Sequence, residues 1–113
     1  MSTSAKDYYE NNAAAMRPAR EAMGTTLKAF GGLHHAAMTA GALSTKDKEL
    51  MAMAIGLAIR CESCIFAHVQ AALKAGATRD EIIEAAQVAV MMGGGPVYTY
   101  VPKVFEALEA LEA

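Results

Sequence analysis

Basic residues, long apolar runs and cysteines are all scarce in this 113-residue sequence. Ten lysines and arginines against twelve aspartates and glutamates give a formal net charge of -2, which leaves no basic surface for binding nucleic acid. The longest apolar run, residues 50–59, is half as long as the roughly 20 residues that a helix needs to cross a bilayer. The polar amino terminus, MSTSAKDYYENN, lacks the apolar segment of a secretory signal. We therefore expect a cytosolic protein that binds neither nucleic acid nor membranes.

Runs of β-branched residues are also scarce, whereas alanine, leucine and methionine dominate, and this composition favours helices. No segment of useful length alternates apolar and polar residues, so no β-sheet is expected. No internal repeat or low-complexity linker divides the chain. The sequence therefore predicts a single all-α domain, residues 1–113, folded as a bundle of about five to six helices.

The amino-terminal half predicts helices separated by a break. Residues 4–23 are expected to be helical, with Pro18 either kinking the helix or starting a second one. The segment GTTLKAFGG is expected to interrupt the helical structure, and LHHAAMTAG to form a short helix that ends at Gly41.

The carboxy-terminal half carries clearer helix signals. Ser44 is a good N-cap for a helix that becomes apolar on every side after Glu49, which is typical of a helix at the centre of a bundle. A second helix is expected to end at Gly76. Thr78 and Glu81 form a T-x-x-E capping box for a third helix, GGGP is expected to end that helix, and KVFEALEALEA predicts a last amphipathic one.

Apolar residues make up 54% of the chain, which exceeds the roughly 45–50% of an average soluble domain. A small domain has a large surface for its volume, so the excess is expected to cover a contact between subunits. The composition therefore predicts a homo-oligomer.

The stretch RCESCIFAHV, residues 60–69, holds both cysteines of the chain. On a helix that begins near Cys61, the side chains of Cys61, Cys64 and His68 share one face, because positions i, i+3 and i+7 do so. Cys61 and Cys64 are then close enough to form a disulfide, and His68 lies one turn from Cys64. Free N–H groups and the helix dipole stabilise a thiolate in the first turn, which favours a nucleophilic sulfur.

Glu49 lies where its predicted helix changes from charged to apolar. A carboxylate near the interior of a bundle is costly unless it is paired. A helical hairpin would let Glu49 face the surface that carries the cysteines and His68. Hydrogen-bonded to His68, the carboxylate would orient the imidazole ring and keep it basic, as the third residue does in nucleophilic triads.

The spacing Glu49-x11-Cys61-x2-Cys64-x3-His68 resembles the signature of the AhpD-like alkylhydroperoxidases, which belong to the carboxymuconolactone decarboxylase superfamily. The resemblance covers residues 41–96, about half of the chain. It implies an all-helical subunit that assembles into trimers or hexamers. The best-known member has a histidine at the position of Ser63, so this chain lacks that part of the relay.

The resemblance also implies an enzymatic activity, that of a thiol-dependent peroxidase or disulfide oxidoreductase without haem, flavin or metal. Cys61 and Cys64 would be the redox pair, and Glu49 and His68 the proton relay. The substrate would be a peroxide. An external dithiol or a protein reductant, of the lipoyl or peroxiredoxin type, would reduce the disulfide.

Alternative functions stay open at this point. Cys61, Cys64, His68 and Glu49 could together bind zinc, in a non-enzymatic redox sensor or a zinc-binding helical oligomer. A decarboxylase reaction is a weaker alternative, because the decarboxylase branch of the superfamily lacks the cysteine pair.

Two further pairs of residues have side chains suited to a functional site. One of His34 and His35 could approach the active site of a neighbouring subunit, but structural roles are expected for both. Tyr98 and Tyr100 could line a substrate pocket, but packing in an interface is the stronger expectation.

Overall fold

The computed structural model describes residues 4–112, and every regular element in that range is an α-helix. Six helices have at least 11 residues: α1 (Ala5–Ala15), α3 (Gly24–Met38), α4 (Thr45–Ala58), α5 (Glu62–Lys74), α6 (Arg79–Gly93) and α8 (Pro102–Glu112). Two short helices lie between them, α2 (Arg17–Ala22) and α7 (Gly95–Tyr98). The prediction of an all-α fold with five to six helices is confirmed by the six long ones.

Side-chain caps explain where the helices of the carboxy-terminal half begin, and a glycine explains where α6 ends. The Ser44 hydroxyl accepts a hydrogen bond from the backbone N–H of Asp47 at 3.0 Å. Thr78 and Glu81 form the predicted capping box, in which each side chain accepts from the other residue's N–H, at 3.1 and 2.9 Å. Helix α6 ends before Gly94, whose φ of 69° and ψ of -148° are open essentially to glycine alone. The segment GGGP therefore ends the helix, as predicted.

The amino-terminal half departs from the prediction in one element. Pro18 lies in the first turn of α2 and starts a second helix, which the sequence had allowed. The predicted break in GTTLKAFGG is wrong, because residues 24–38 form one helix that passes through Gly31 and Gly32. Neither glycine takes a positive φ. The low propensity of glycine is only a weak tendency, and the helix formers on either side outweigh it here. This helix ends at Met38, before the predicted end at Gly41.

Helices α4 and α5 form a hairpin at the centre of the fold, joined by three residues, 59–61. Helix α6 packs against α4, while α1 and α8 pack against α5. The largest fully buried side chains come from these helices: Met53 and Leu57 of α4, Ile65, Phe66 and Val69 of α5, Ile82 of α6, and Val104 and Leu108 of α8. The hairpin therefore carries both the core and the candidate site residues.

Helix α4 is not enclosed on every side within one chain. Met51, Ile55 and Ile59 follow one another at four-residue intervals and are 44%, 61% and 66% exposed. The expectation that α4 lies at the centre of the bundle is therefore right for one face of the helix and wrong for the other. An apolar pattern predicts that a helix face is buried, but it does not show whether the same chain or a partner subunit covers that face.

Within residues 4–112, no helix is both long enough and apolar enough to cross a membrane. The cytosolic location expected from the sequence stays a prediction.

Candidate active site

Cys61 and Cys64 form a disulfide at the start of α5, with their Cα atoms 5.2 Å apart. Cys61 is the N-cap of the helix, and its sulfur accepts a hydrogen bond from the backbone N–H of Cys64 at 3.2 Å. Both residues are half-buried. The helix thus begins where the sequence predicted, and the pairing of the two cysteines that the spacing allowed is present.

Glu49 and His68 are hydrogen-bonded across the hairpin, with 2.7 Å between Glu49 Oε1 and His68 Nδ1. The Glu49 side chain is 7% exposed and that of His68 is 21% exposed. Among residues 4–112, Glu49 is the one buried charged residue. Because a buried carboxylate without a partner is costly, this contact both stabilises Glu49 and holds the imidazole ring in one orientation.

Gly56 brings α4 and α5 together at Cys64. A Cβ atom added at Gly56 would lie 2.9 Å from Cys64 Cβ and 3.4 Å from the backbone N of Ile65. Any larger residue would therefore push the helices apart at Cys64. The missing side chain of Gly56 sets the distance between the helix that carries Glu49 and the helix that carries His68.

The structure joins the four residues predicted for the site in two pairs, Cys61 with Cys64 and Glu49 with His68. Cys61, Cys64 and His68 lie on α5 or at its N-cap, and Glu49 reaches His68 from α4. In the disulfide form Cys64 has no S–H group, so the hydrogen bond predicted between Cys64 and His68 does not arise in this state. The other ring nitrogen of His68, Nε2, is not used in the contact with Glu49.

His34 also belongs to this region, although a structural role was expected for it. Its ring faces the ring of His68, with the centroids 6.1 Å apart and the planes inclined by 17°. Donor atoms of His34, Glu49 and His68 all lie within 4.8 Å of one another, and two histidines with one carboxylate are suitable ligands for a divalent metal ion. This group shares Glu49 and His68 with the predicted zinc site but replaces the cysteines with His34.

No sequence signal could have placed His34 here. It lies on α3, which is remote in sequence from α5, and only helix packing brings them together. His35 lines a cleft of about 380 Å³ between α3 and α4, together with His34 and Glu49. The cleft gives solvent a route to the histidine–glutamate pair.

The tyrosines of the fold divide into half-buried and exposed positions. Tyr9 donates a hydrogen bond to the backbone carbonyl of Phe66 at 2.6 Å and so ties α1 to α5. Burial raises the pKa of Tyr9 well above its ordinary value. Burial also raises the pKa of Tyr100, and the Glu62 carboxylate adds to that effect. Tyr100 lines a cleft beside the disulfide, whereas Tyr98 is 68% exposed.

Residues 24–113 match the family model described as the carboxymuconolactone decarboxylase family. The match covers well over half of the chain. The chain belongs to the carboxymuconolactone decarboxylase family. This finding confirms the resemblance inferred from the spacing of the glutamate, the two cysteines and the histidine.

Solved structures of family members share the fold of this chain. A carboxymuconolactone decarboxylase family protein from Legionella pneumophila is 40% identical, with a TM-score of 0.76, over 96% of this chain and 91% of that protein. A Thermotoga maritima member, for which an antioxidative role has been suggested, is 33% identical, with a TM-score of 0.72, over 78% of this chain and 91% of its own. An uncharacterized protein of Cupriavidus necator is 34% identical over 93 residues, which is 82% of each chain.

Proposed function

We propose that this carboxymuconolactone decarboxylase family protein is a dithiol peroxidase that reduces peroxides through Cys61 and Cys64. The observation that carries the proposal is the disulfide at the start of α5, one helical turn from a histidine held by a buried glutamate. A disulfide at a helix N-terminus is readily cycled, because the helix dipole and the free N–H groups stabilise the thiolate that reduction releases. The antioxidative role suggested for the Thermotoga relative agrees with this chemistry.

The oxidative half of the cycle begins with the reduced pair. His68 takes the proton of Cys64, and the thiolate attacks the outer oxygen of the peroxide. The O–O bond breaks, the alcohol leaves after accepting a proton, and Cys64 becomes a sulfenic acid. Cys61 then attacks the sulfur of Cys64, water leaves, and the disulfide forms. One peroxide is reduced by two electrons, which the two thiols supply.

Glu49 and His68 act as one unit in this proposal. The 2.7 Å contact directs Nδ1 of His68 toward Glu49, so that Nε2 serves as the proton acceptor. The carboxylate also stabilises the imidazolium that forms when His68 takes a proton. We assign Cys64 the role of the attacking residue because it lies one turn before His68 on α5, whereas Cys61 precedes the helix.

The disulfide must be reduced by an external dithiol or by a protein reductant. The family resemblance suggests lipoyl-type or peroxiredoxin partners, and we propose this class without assigning a specific partner. Two electrons and two protons return the pair to the dithiol state.

Peroxide consumption with a dithiol reductant tests the proposal. We expect Cys64→Ser to abolish turnover. In the absence of reductant, Cys61→Ser should consume about one peroxide per subunit and stop at the sulfenic acid of Cys64, which then has no partner cysteine. The variant that lacks both cysteines provides the blank. Wild-type protein that consumes no peroxide, or a Cys64→Ser variant with wild-type turnover, would contradict the proposal.

We also propose that the protein is a homo-oligomer, a trimer or a hexamer as the family resemblance implies. No residue of α3 is buried within the chain, and Phe30 and Leu33 of this helix are 67% and 64% exposed. A 15-residue helix with no buried residue is marginal in water. A second subunit that covers α3 and the outer face of α4 would stabilise both. Light scattering should give a mass of three or six subunits, and a stable monomer at micromolar concentration would contradict this.

Metal binding is the second candidate function, favoured by the arrangement of His34, Glu49 and His68. Protein purified in reducing buffer without chelators would then contain stoichiometric zinc. That zinc would be lost in His34→Gln and retained in Cys64→Ser, because the sulfur is not a ligand in this arrangement. Wild-type protein without bound metal would exclude this function.

A further inference from the structure

The turn between α4 and α5 holds Arg60 in the left-handed region of the backbone, with φ at 56°. It is the one residue other than glycine with a positive φ among residues 4–112. Its N–H donates to the carbonyl of Leu57 at 3.0 Å, and the N–H of Cys61 donates to the carbonyl of Gly56 at 2.9 Å. These are the two hydrogen bonds of a Schellman motif. The position normally takes glycine, because a Cβ atom strains a left-handed backbone.

Helix α5 ends in the same motif, but there the residue is glycine. Gly76 has a φ of 101°, its N–H donates to Leu73 at 3.1 Å, and the N–H of Ala77 donates to Ala72 at 2.9 Å. The chain thus uses glycine at one turn and arginine at the equivalent turn beside the disulfide. Backbone strain retained next to a reactive group indicates that the side chain has a function.

Arg60 lines a cleft of about 430 Å³, which neither cysteine lines directly. Ser63 lines the same cleft, and its Oγ lies 3.6 Å from Cys61 Sγ. Three aromatic residues contribute apolar surface to the wall: Tyr8, Phe66 and Tyr100. A cleft of this volume suits a small organic molecule.

Among the described residues that line the cleft, Arg60 is the one with a positively charged side chain. The carboxylate of Glu62 is paired with Lys103 at 3.3 Å, and that of Asp7 accepts from the Asn11 side chain at 2.8 Å. Within residues 4–112, no side-chain hydrogen bond or ion pair involves the Arg60 guanidinium, unlike those of Arg20 and Arg79. The polar lining of the cleft includes the Arg60 guanidinium, and the aromatic residues form an apolar patch beside it. This combination suits a molecule with an apolar stem and a carboxylate, which arginine binds through two parallel hydrogen bonds.

We propose that this cleft binds the thiol that reduces the disulfide, and that Arg60 recognises a carboxylate on that thiol. The inference rests on the proposed redox cycle, since it concerns its reductive half. The thiolate of the reductant attacks Cys61 Sγ, which lies beside the cleft. The S–S bond breaks, Cys64 leaves as a thiolate at the helix N-terminus, and a mixed disulfide remains on Cys61. A second thiol attacks the reductant sulfur of that mixed disulfide, which releases Cys61 and the oxidised reductant.

Two thiols with the same stem test the proposal, 6-mercaptohexanoate and the neutral 6-mercaptohexanol. The oxidised protein is mixed with each thiol, and the release of Cys61 and Cys64 thiols is followed with time. In Arg60→Gly and Arg60→Asn, which suit a left-handed backbone, we expect reduction by mercaptohexanoate to slow by about tenfold, as the loss of a charged hydrogen bond implies. Reduction by mercaptohexanol should change by less than about twofold, because no anion is lost.

Lys74→Gln provides the matched control, because it removes one positive charge at the opposite end of α5. It should leave both rates unchanged. Equal losses with both thiols, or the same loss in Lys74→Gln, would overturn the assignment of Arg60. The melting temperature is the second measurement: Arg60→Gly should match or exceed the wild type, and a lower value would overturn the strain argument. Since the assay contains no peroxide, its result does not depend on whether the protein is a peroxidase.

Discussion

Replacing Gly56 by alanine tests whether the close approach of α4 and α5 sets the geometry of the site. The new Cβ atom would lie 2.9 Å from Cys64 Cβ, whereas carbon atoms in contact prefer about 3.5–4.0 Å. The helices must therefore separate by roughly 1 Å, or the side chains must leave their preferred rotamers. The strain falls at Cys64, the residue that we propose attacks the peroxide.

The size of the effect follows from two opposing terms. Overpacking of this kind costs about 1–3 kcal/mol. Alanine in a helix gains about 1 kcal/mol over glycine. We therefore expect Gly56→Ala to lower the free energy of unfolding by about 0–2 kcal/mol.

Gly32→Ala is the matched control, because Gly32 also lies within a helix and no atom lies within 4 Å of an added Cβ. This variant should gain up to about 1 kcal/mol of stability. The difference between Gly56→Ala and Gly32→Ala cancels the propensity term and leaves the overpacking cost of about 1–3 kcal/mol.

Urea denaturation gives the stabilities, with all variants at the same subunit concentration because assembly adds to apparent stability. Peroxide turnover gives the second measurement. A displacement of about 1 Å between reacting groups can cost roughly 10²-fold in rate. The content of the Cys61–Cys64 disulfide should stay the same in Gly56→Ala, since both cysteines lie at one end of α5. If Gly56→Ala were as stable and as active as Gly32→Ala, the helices would not meet at Cys64 in the way described.

Three further predictions concern the relay, a surface ion pair and a buried hydroxyl. Glu49→Gln and His68→Gln should each lower peroxide turnover by about 10²–10⁴-fold, and the double variant should fall little further; independent, multiplicative losses would remove Glu49 from the relay. The hydrogen bond from Lys46 lowers the pKa of Glu81 below its ordinary value of 4.5. The contact therefore stabilises the fold above pH 4.5, and this stabilisation is lost as the pH falls through the lowered pKa. Glu81→Gln should therefore flatten the decline of stability in acid, and an unchanged decline in urea titrations would contradict this. Tyr9→Phe should cost about 1 kcal/mol of stability through its lost hydrogen bond to a backbone carbonyl of α5, and an unchanged urea midpoint would contradict that assignment.

Local features of the fold could be predicted because each depends on a few neighbouring residues. Ser44 and the pair Thr78 and Glu81 cap helices with atoms no more than three residues away. The break expected at Gly31 and Gly32 was wrong, because the low helix propensity of glycine is a weak effect that the rest of the helix can outweigh. A propensity of about 1 kcal/mol per glycine is small enough for the rest of a 15-residue helix to override.

The sequence by itself determined most of the candidate site. Cys61, Cys64 and His68 share a face because the helix has 3.6 residues per turn, and this holds wherever the helix lies in the molecule. The pairing of Glu49 with His68 was also predictable, since a short connection forces α4 to fold back along α5 and a buried carboxylate needs a partner.

Only the tertiary structure decided which distant helices meet the site and which faces stay uncovered. His34 lies beside His68 because α3 packs against α4, and no spacing in the sequence encodes that approach. The strained conformation of Arg60 and the close contact at Gly56 depend on how α4 ends and how it crosses α5. The apolar residues of α4 predict that the helix is buried on all sides. The packing of helices within one chain covers only part of that surface. The physical reason is that helical periodicity is local, whereas the mutual arrangement of helices is set by the fit of many side chains at once.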